Sequence, residues 1–306
     1  MNAQLAEDKP LAAIPEITAP QHPLLATLQR LVRSPKGFLG VMIMLLFVVV
    51  ALLGPLVTPY DPIELHLQDQ LKPPSGQYWF GTDELGRDIF SRIVHGASIS
   101  LQAGVIAVLA AALVGIVTGL AAGYWGGWID AIVMRTWDTL LAFPAIFLAI
   151  GIVSVVGPGK LNAILAVAII NMPTFARLVR ASTLAVKNKE FVLAAQSIGA
   201  SDLRIMFGSI FPNCVAPFMV QATIAVPTAI LIEATLAFLG LGTQPPAPSW
   251  GNMLQAAQAY LYQAPTYGLF PGIAITIVVV GMNLLADALQ DAIDPRRSHV
   301  GTSAKG

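Results

Sequence analysis

Charge is scarce in this sequence. Asp, Glu, Lys and Arg together make up 11% of its 306 residues, whereas an ordinary soluble domain has about 25%. Hydrophobic residues make up 56%, and the mean hydropathy is +0.71. The formal net charge is zero, so the charge balance indicates no nucleic-acid partner. This composition argues against a soluble fold and predicts an all-α integral membrane protein.

Side chains that commonly carry chemistry are also scarce. Cys214 is the single cysteine, so no disulfide can form within the chain, and we expect this side chain to serve in packing. The four histidines lie outside the apolar stretches and show no His-x-x-x-His spacing, which predicts no metal site. Residues 157–161 lack the glycine spacing and the Ser or Thr of a phosphate-binding loop. We therefore predict no catalytic residue, no metal and no cofactor on this chain.

Six apolar stretches are long enough to cross a bilayer, which takes roughly 20 residues in a helix. They cover residues 38–57, 98–122, 137–156, 161–176, 214–239 and 269–288. Pro144, Pro173 and Pro227 are predicted to kink or interrupt the spans that contain them, because proline removes a helical hydrogen bond.

The direction of the spans follows from the Lys and Arg residues that flank them. Thirteen lie on the side that holds both termini and four on the other side. Cytoplasmic flanks carry the excess of these residues, so both termini are predicted to be cytoplasmic. All five tryptophans lie outside or at the edge of the apolar stretches, where interfacial anchors are expected. They are Trp79, Trp125, Trp128, Trp137 and Trp250.

The predicted organisation follows from these spans. It comprises a disordered cytoplasmic tail at 1–22, an interfacial amphipathic helix at 23–37, a six-helix transmembrane domain at 38–290 and a second cytoplasmic tail at 291–306. The long loops of the transmembrane domain are an outer loop at 58–97, a cytoplasmic loop at 181–212 and an outer loop at 240–268.

The second span has a small residue at every fourth position. These residues are Ala103, Ala107, Ala111, Gly115, Gly119 and Gly123. Small residues let the backbones of two membrane helices approach closely, so this stripe predicts a tightly packed neighbouring helix. The alternative is a span that is rich in alanine and glycine without a specific partner.

The cytoplasmic loop at 181–212 has the pattern of two short helices. Gly199 is a natural stop for the first helix, and Ser201 is a candidate N-cap for the second, with Asp202 in its first turn. The second helix is predicted to end at Pro212. The apolar faces of such a pair must be covered by membrane lipid or by a partner protein.

The same loop resembles a known motif. The run EFVLAAQSIG at 190–199, followed thirteen positions later by Pro212, resembles the EAA loop of ATP-binding-cassette (ABC) importer permeases. It departs from that motif at Leu193, where Glu is expected, and at Ser209, where Ile is expected. The resemblance implies an ATPase-coupling loop made of Glu190, Ala194, Ala195, Gly199, Ala200, Ser201, Asp202 and Pro212.

Two outer segments resemble permeases of the dipeptide, oligopeptide and nickel importer group. The first carries Gly81, Thr82, Asp83, Gly86, Arg87 and Asp88, and the second runs from residue 238 to 251 as FLGLGTQPPAPSWG. In the first segment, the glycines permit turns, and the acids Asp83, Glu84 and Asp88 are expected to pair with Arg87 and Arg92 on the outer surface. The spacing of the acids lacks the order of a calcium-binding loop.

Three acids lie in or beside the spans, where an ionisable side chain is costly and usually has a function. Asp138 is expected to pair with Arg135, one helical turn away. Glu233 is a candidate either for lining the pathway or for holding a helix end through hydrogen bonds. Asp287, one turn after Asn283, is expected to be structural.

The resemblance covers roughly residues 38–296 and implies a C-type permease subunit with six spans and the type I ABC importer fold. Such a subunit would pair with a homologous second permease, two ATPase subunits that bind ATP and Mg, and an extracytoplasmic solute-binding protein. It would lie in a bacterial inner membrane and work by alternating access, with a substrate left open among dipeptides, oligopeptides, glutathione and nickel complexes. The rival interpretations are a self-sufficient ion-coupled transporter or channel, which would need more buried ionisable residues, and a non-transporting scaffold.

Overall fold

The structure is a computed structural model that describes residues 29–293. This range contains helices and irregular segments, and its single β-bridge joins Thr82 to Asp88. The helices are α1 (Pro35–Val57), α2 (Ile89–Trp125), α3 (Gly127–Leu141), α4 (Ala145–Val156), α5 (Lys160–Val186), α6 (Glu190–Ser197), α7 (Asp202–Phe238), α8 (Trp250–Ala257) and α9 (Pro265–Ile293). Short 3₁₀ turns cover Leu67–Asp69 and Gln258–Tyr260.

Five helices are long and apolar enough to cross a membrane, namely α1, α2, α5, α7 and α9. The pair α3 and α4 passes the same test together but is bent by 94°, and it provides a sixth span if it is counted as one. The predicted six-span, all-helical architecture is thus confirmed. The span over 137–156 is broken at Pro144 into α3 and α4, which confirms the predicted interruption, since the residue before a proline disfavours helical geometry.

The other two prolines do not interrupt their helices. Pro173 lies inside α5 and Pro227 inside α7, and both helices continue past them. In membrane bundles, neighbouring helices and local adjustments of the backbone satisfy the polar groups that a proline leaves unpaired within a helix. Helices α2 and α5 also extend beyond the predicted spans, since hydropathy marks only the part of a helix that suits lipid.

The helices meet in two main cores. In the first, α2 packs along α5 and α7, and the six small residues of the stripe on α2 are all buried. In the second, α1, α8 and α9 pack against the first half of α2. The small side chains of the stripe place the backbone of α2 directly against α5.

Trp250 is the anchor of the second core. Its side chain is fully buried, its Nε1 donates a hydrogen bond to the carbonyl oxygen of Ile93 at 3.0 Å, and its ring meets Phe47 edge to face. Trp250 therefore packs inside the protein and does not face lipid as an interfacial anchor would. Its position beside Ser249, whose hydroxyl caps α8, turns the indole toward α2 instead.

The beginning of α1 lies within the range predicted for the interfacial helix. Residues 29–33 are helical, whereas residues 23–28 lie outside the described range, as do the predicted tail at 1–22 and residues 294–306. Ser34 caps α1, its hydroxyl oxygen accepting a hydrogen bond from the amide of Gly37 at 3.0 Å. Residues 35–37 therefore belong to the first span.

Two ends of the bundle matter for function. The cap end holds residues 58–88 and 240–264, which fold over the ends of α2, α7 and α9. The basic end holds the segment between α5 and the apolar part of α7, with Arg177, Arg180 and Lys187 at the end of α5.

Candidate functional site

The loop between α5 and α7 forms a helical hairpin, here called the coupling segment (residues 190–210). Helix α6 begins at Glu190 and ends where Gly199 adopts a φ of +76°, a conformation that favours glycine. The amide of Ala200 donates to the carbonyl of Ala195 at 3.1 Å, which closes the turn. Gly199 therefore stops the first helix, as the sequence predicts.

The second helix of the hairpin differs from the prediction. Ser201 occupies the N-cap position, but its side chain makes no capping hydrogen bond. The helix does not end at Pro212; it passes through a π-helical stretch, Ile205–Ile210, and continues into the span. Because Pro212 has no amide hydrogen, a regular α-helical ladder would lose a bond here, and the wider π turn lies next to that gap.

One face of the coupling segment is buried against the bundle. Its buried side chains are Val192, Ile205, Met206 and Ile210, which pack with Cys214 against Leu120, Val179 and Val186. Cys214 thus serves in packing, as expected. This cluster attaches the hairpin to α2 and α5.

The opposite face carries exposed apolar side chains, here called the apolar patch. Its members are Phe191, Leu193, Ile198, Leu203 and Phe207, and Ile198 and Leu203 are the most exposed, at 84% and 63%. A hollow of about 360 Å³ lies beside them, lined in part by Ala195, Gly199 and Ala200. Apolar surface of this kind marks a site that a partner or lipid covers.

Hydrogen bonds also link the coupling segment to the end of α2. The Tyr124 hydroxyl donates to one oxygen of Asp202 at 2.9 Å, and Nε1 of Trp125 donates to the other at 3.1 Å. Nearby, the Lys187 ammonium donates to the carbonyl of Gly123 at 3.0 Å. Sequence reasoning missed Tyr124, because its position at a helix end gives no signal of a partner 78 residues away.

Two ion pairs hold α3 against α5 at the same end. Arg180 donates to Asp130, with 2.6 Å between Nη2 and Oδ2, and Arg177 pairs with Asp138 at 2.5 Å. The predicted pairing of Asp138 with Arg135 is wrong. Asp138 faces α5, so the cation that reaches it comes from the neighbouring helix rather than from its own.

At the cap end, Asp83 is the centre of a buried charge network. Its side chain has no exposed surface and accepts hydrogen bonds from the amides of Leu85 and Arg87, both at 2.9 Å. Its second oxygen lies 2.6 Å from Nε of Arg87 and 3.3 Å from Nε of Arg92. Both arginines are nearly buried, so the expectation of pairs on the outer surface is wrong about their exposure.

The glycines and Asp88 of this segment shape its backbone. Gly81 and Gly86 have φ of +84° and +76°, and a Cβ on Gly86 would lie 1.9 Å from the carbonyl oxygen of His66. Asp88 caps α2, its carboxylate accepting from the amide of Ser91 at 2.8 Å, rather than pairing with an arginine. No cluster that could hold a metal ion occurs among residues 29–293.

A second network ties the preceding loop to the same segment. Tyr78 donates to Asp69 at 2.7 Å, and Lys72 forms an ion pair with the same carboxylate. The bonds from Lys72 and Tyr78 lower the pKa of Asp69 below its ordinary value. The Thr82 hydroxyl donates to the carbonyl of Asp69, and it accepts from the amide of Lys72 at 2.8 Å.

The three candidate polar residues in α7 and α9 differ in burial. Glu233 is 1% exposed, and neither of its carboxyl oxygens accepts a hydrogen bond from any described residue. It therefore does not hold a helix end by hydrogen bonding in the described part of the chain. Asn283 and Asp287, in contrast, are exposed on the surface of α9.

Glu233→Gln is expected to leave the stability of the purified subunit almost unchanged. The amide has nearly the same size, and no hydrogen bond is lost, so the free energy of unfolding should change by less than about 1 kcal/mol. Glu233→Ala should destabilise the subunit more than Glu233→Gln does, because it opens a cavity. Thermal unfolding in detergent measures both; equal losses for Gln and Ala would show that the carboxyl itself contributes an interaction.

Comparisons with known proteins agree with this architecture. Residues 115–299, more than half of the chain, match the family described as binding-protein-dependent transport system inner membrane component. Residues 23–74 match the N-terminal transmembrane domain of oligopeptide transport permease C.

Two permease proteins are similar to this chain over most of their length. The dipeptide transport system permease protein DppC of Alkalihalophilus pseudofirmus is 46% identical over 268 residues, which cover 88% of each chain. The glutathione transport system permease protein GsiD of Escherichia coli is 45% identical over 288 residues, or 94% of each chain.

A solved structure supports the fold. The MetNI methionine ABC transporter, in an inward-facing conformation, matches with a TM-score of 0.52 at 20% identity, over 66% of this chain and 96% of that one. The predicted type I importer fold is thereby confirmed, and the rival interpretation as a self-sufficient carrier has no support. The chain belongs to the binding-protein-dependent transport system inner membrane components, the non-catalytic permease subunits of bacterial ABC importers.

Proposed function

We propose that this permease forms one half of a translocation pathway for dipeptides, oligopeptides or related solutes such as glutathione. The support is the set of relatives named for dipeptide, di/tripeptide and glutathione transport. Its partners in this proposal are a homologous second permease, two ATPase subunits that bind ATP and Mg, and an extracytoplasmic solute-binding protein. The basic end lies in the cytoplasm, in accord with the distribution of Lys and Arg.

The observation that carries the proposal is the apolar patch at the basic end. Helix α6 and the first turns of α7 are fixed to α2 and α5 by their buried face, and they present Ile198 and Leu203 outward. An amphipathic helix that enters a groove of a partner commonly uses such anchors. The ATPase subunit is that partner, so closure of the ATPases pushes on the coupling segment and drives alternating access.

Asn283 and Asp287 are our candidates for the lining of the pathway. Both are polar side chains on the exposed face of a helix that is otherwise apolar enough to span the membrane. Lipid does not solvate an amide or a carboxyl group, so these side chains contact the second permease or the water of the pathway. The buried Glu233 has no such access in this conformation.

Docking of the ATPases at the apolar patch predicts that charged substitutions in this patch weaken ATPase binding. Ile198→Glu and Leu203→Glu should each raise the Kd of the ATPase subunits for the permease about 30-fold, since a central apolar anchor contributes about 2 kcal/mol or more. Titration of purified ATPase against the permease pair in nanodiscs measures the change. Tyr262→Glu is the matched control, because Tyr262 is fully exposed at the opposite end. Unchanged ATPase binding by both patch variants would refute docking at this site.

The substrate class is tested separately. Proteoliposomes that contain the two permeases and the two ATPases, with the binding protein added, should import labelled dipeptide in the presence of ATP. Competition by tripeptide and by glutathione then orders the substrates. Import of none of these solutes by an active, ATP-hydrolysing complex would contradict the proposed class.

A further inference from the structure

Asp202 lies where two parts of the molecule meet. It is in the first turn of α7, and its two carboxylate oxygens accept hydrogen bonds from Tyr124 and Trp125. These donors are consecutive and form the last two residues of α2. One side chain therefore joins the coupling segment to the end of α2, the helix that packs along α5.

The end of α2 is itself fixed to α5. A Cβ on Gly123 would lie 2.7 Å from Cβ of Thr183, and the carbonyl of Gly123 accepts from Lys187. A displacement of Tyr124 and Trp125 is consequently a displacement of α2 and α5 together. Both helices belong to the first core, which contains the stripe of small residues.

The direct route from the coupling segment into the span passes through the π-helical stretch Ile205–Ile210. Such stretches interrupt the regular hydrogen-bond ladder of a helix. Asp202 lies before this stretch, so its bonds to α2 bypass it. Besides its chain connections to α5 and α7 and the apolar cluster described above, the coupling segment thus has a polar connection to α2 through Asp202.

We propose that Asp202 is a positioning residue that transmits the movement of the docked coupling segment to α2 and α5. This inference rests on the proposed docking of an ATPase at the apolar patch. Without the link, the end of α2 loses its polar connection to the coupling segment, and the movement reaches α2 and α5 only through the chain and the apolar cluster, so less of it is transmitted. ATP hydrolysis then continues while fewer solute molecules cross per ATP.

The test is the ratio of solute imported to ATP hydrolysed by the reconstituted complex. Asp202→Ala should lower this ratio about fivefold or more in complexes that contain both ATPases. The variant with both Tyr124→Phe and Trp125→Phe should show the same loss, because it removes the donors and leaves the docking face of the coupling segment intact. Combining all three substitutions should add nothing further.

The controls separate this inference from the proposed function. Glu64→Gln removes an exposed carboxylate at the cap end and should keep the wild-type ratio. If the wild-type permease does not bind the ATPases, the proposed function fails. If Asp202→Ala loses the ATPases, its transport ratio cannot be measured, and the ratio of the Tyr124→Phe and Trp125→Phe double variant tests the inference. A wild-type ratio in that variant, with the complex assembled, overturns the inference.

Discussion

Replacement of Gly115 and Gly119 by leucine together is expected to abolish folding of the permease. A Cβ alone on Gly115 would lie 2.4 Å from Cβ of Phe175, and one on Gly119 would lie 2.5 Å from the carbonyl oxygen of Ala176. Relief requires the backbones of α2 and α5 to separate along the main helix contact. Each overpacked site costs about 1–3 kcal/mol, and two on one contact should exceed about 3 kcal/mol.

The measurement is the yield of monodisperse protein after detergent extraction, followed by thermal unfolding of any soluble fraction. Gly151→Leu provides the control, because Gly151 lies in the apolar helix α4 and a Cβ there would meet nothing within 4 Å. This control should behave like the wild type. Normal yield and stability of the Gly115 and Gly119 variant would show that the small-residue stripe is incidental to packing.

The stripe also shows how far sequence could lead. Its period of four residues predicted a closely packed neighbour for α2, since the pattern is local to one helix. It could not identify α5 as that neighbour, because the choice depends on how six spans arrange around one another. The partner of Asp138 was missed for the same reason: Arg177 on α5 reaches it across the helix contact.

Burial was the second property that local pattern did not reveal. Trp250 was expected as an interfacial anchor from its place beside the apolar stretch, yet the packing of α8 against α2 buries it completely. In the coupling segment, Gly199 correctly marked the end of α6, because glycine acts on its own backbone. Pro212 did not mark the end of the next helix, because a π turn accommodated it.

The second large effect is expected from Asp83→Ala in the cap. The acids and arginines of this segment were recognisable by their spacing, but only the fold shows that residues 60–80 cover them. The substitution leaves Arg92 buried without the carboxylate that it faces at 3.3 Å, and it leaves Arg87 with Glu84 alone, at 3.0 Å. Removing one partner of a buried ion pair costs about 3–5 kcal/mol, because the remaining charge keeps its desolvation penalty.

The same carboxylate holds the backbone of the cap, since it also accepts from the amides of Leu85 and Arg87. Asp83→Ala should therefore expose residues 58–88 to limited proteolysis and lower the thermal midpoint of the purified permease. Asp61→Ala is the matched control, because Asp61 is exposed in the same loop and accepts a single bond, from the amide of Ile63. Its effect should stay below about 0.5 kcal/mol. Equal protection of the cap in both variants would mean that the buried charges do not hold this segment in place.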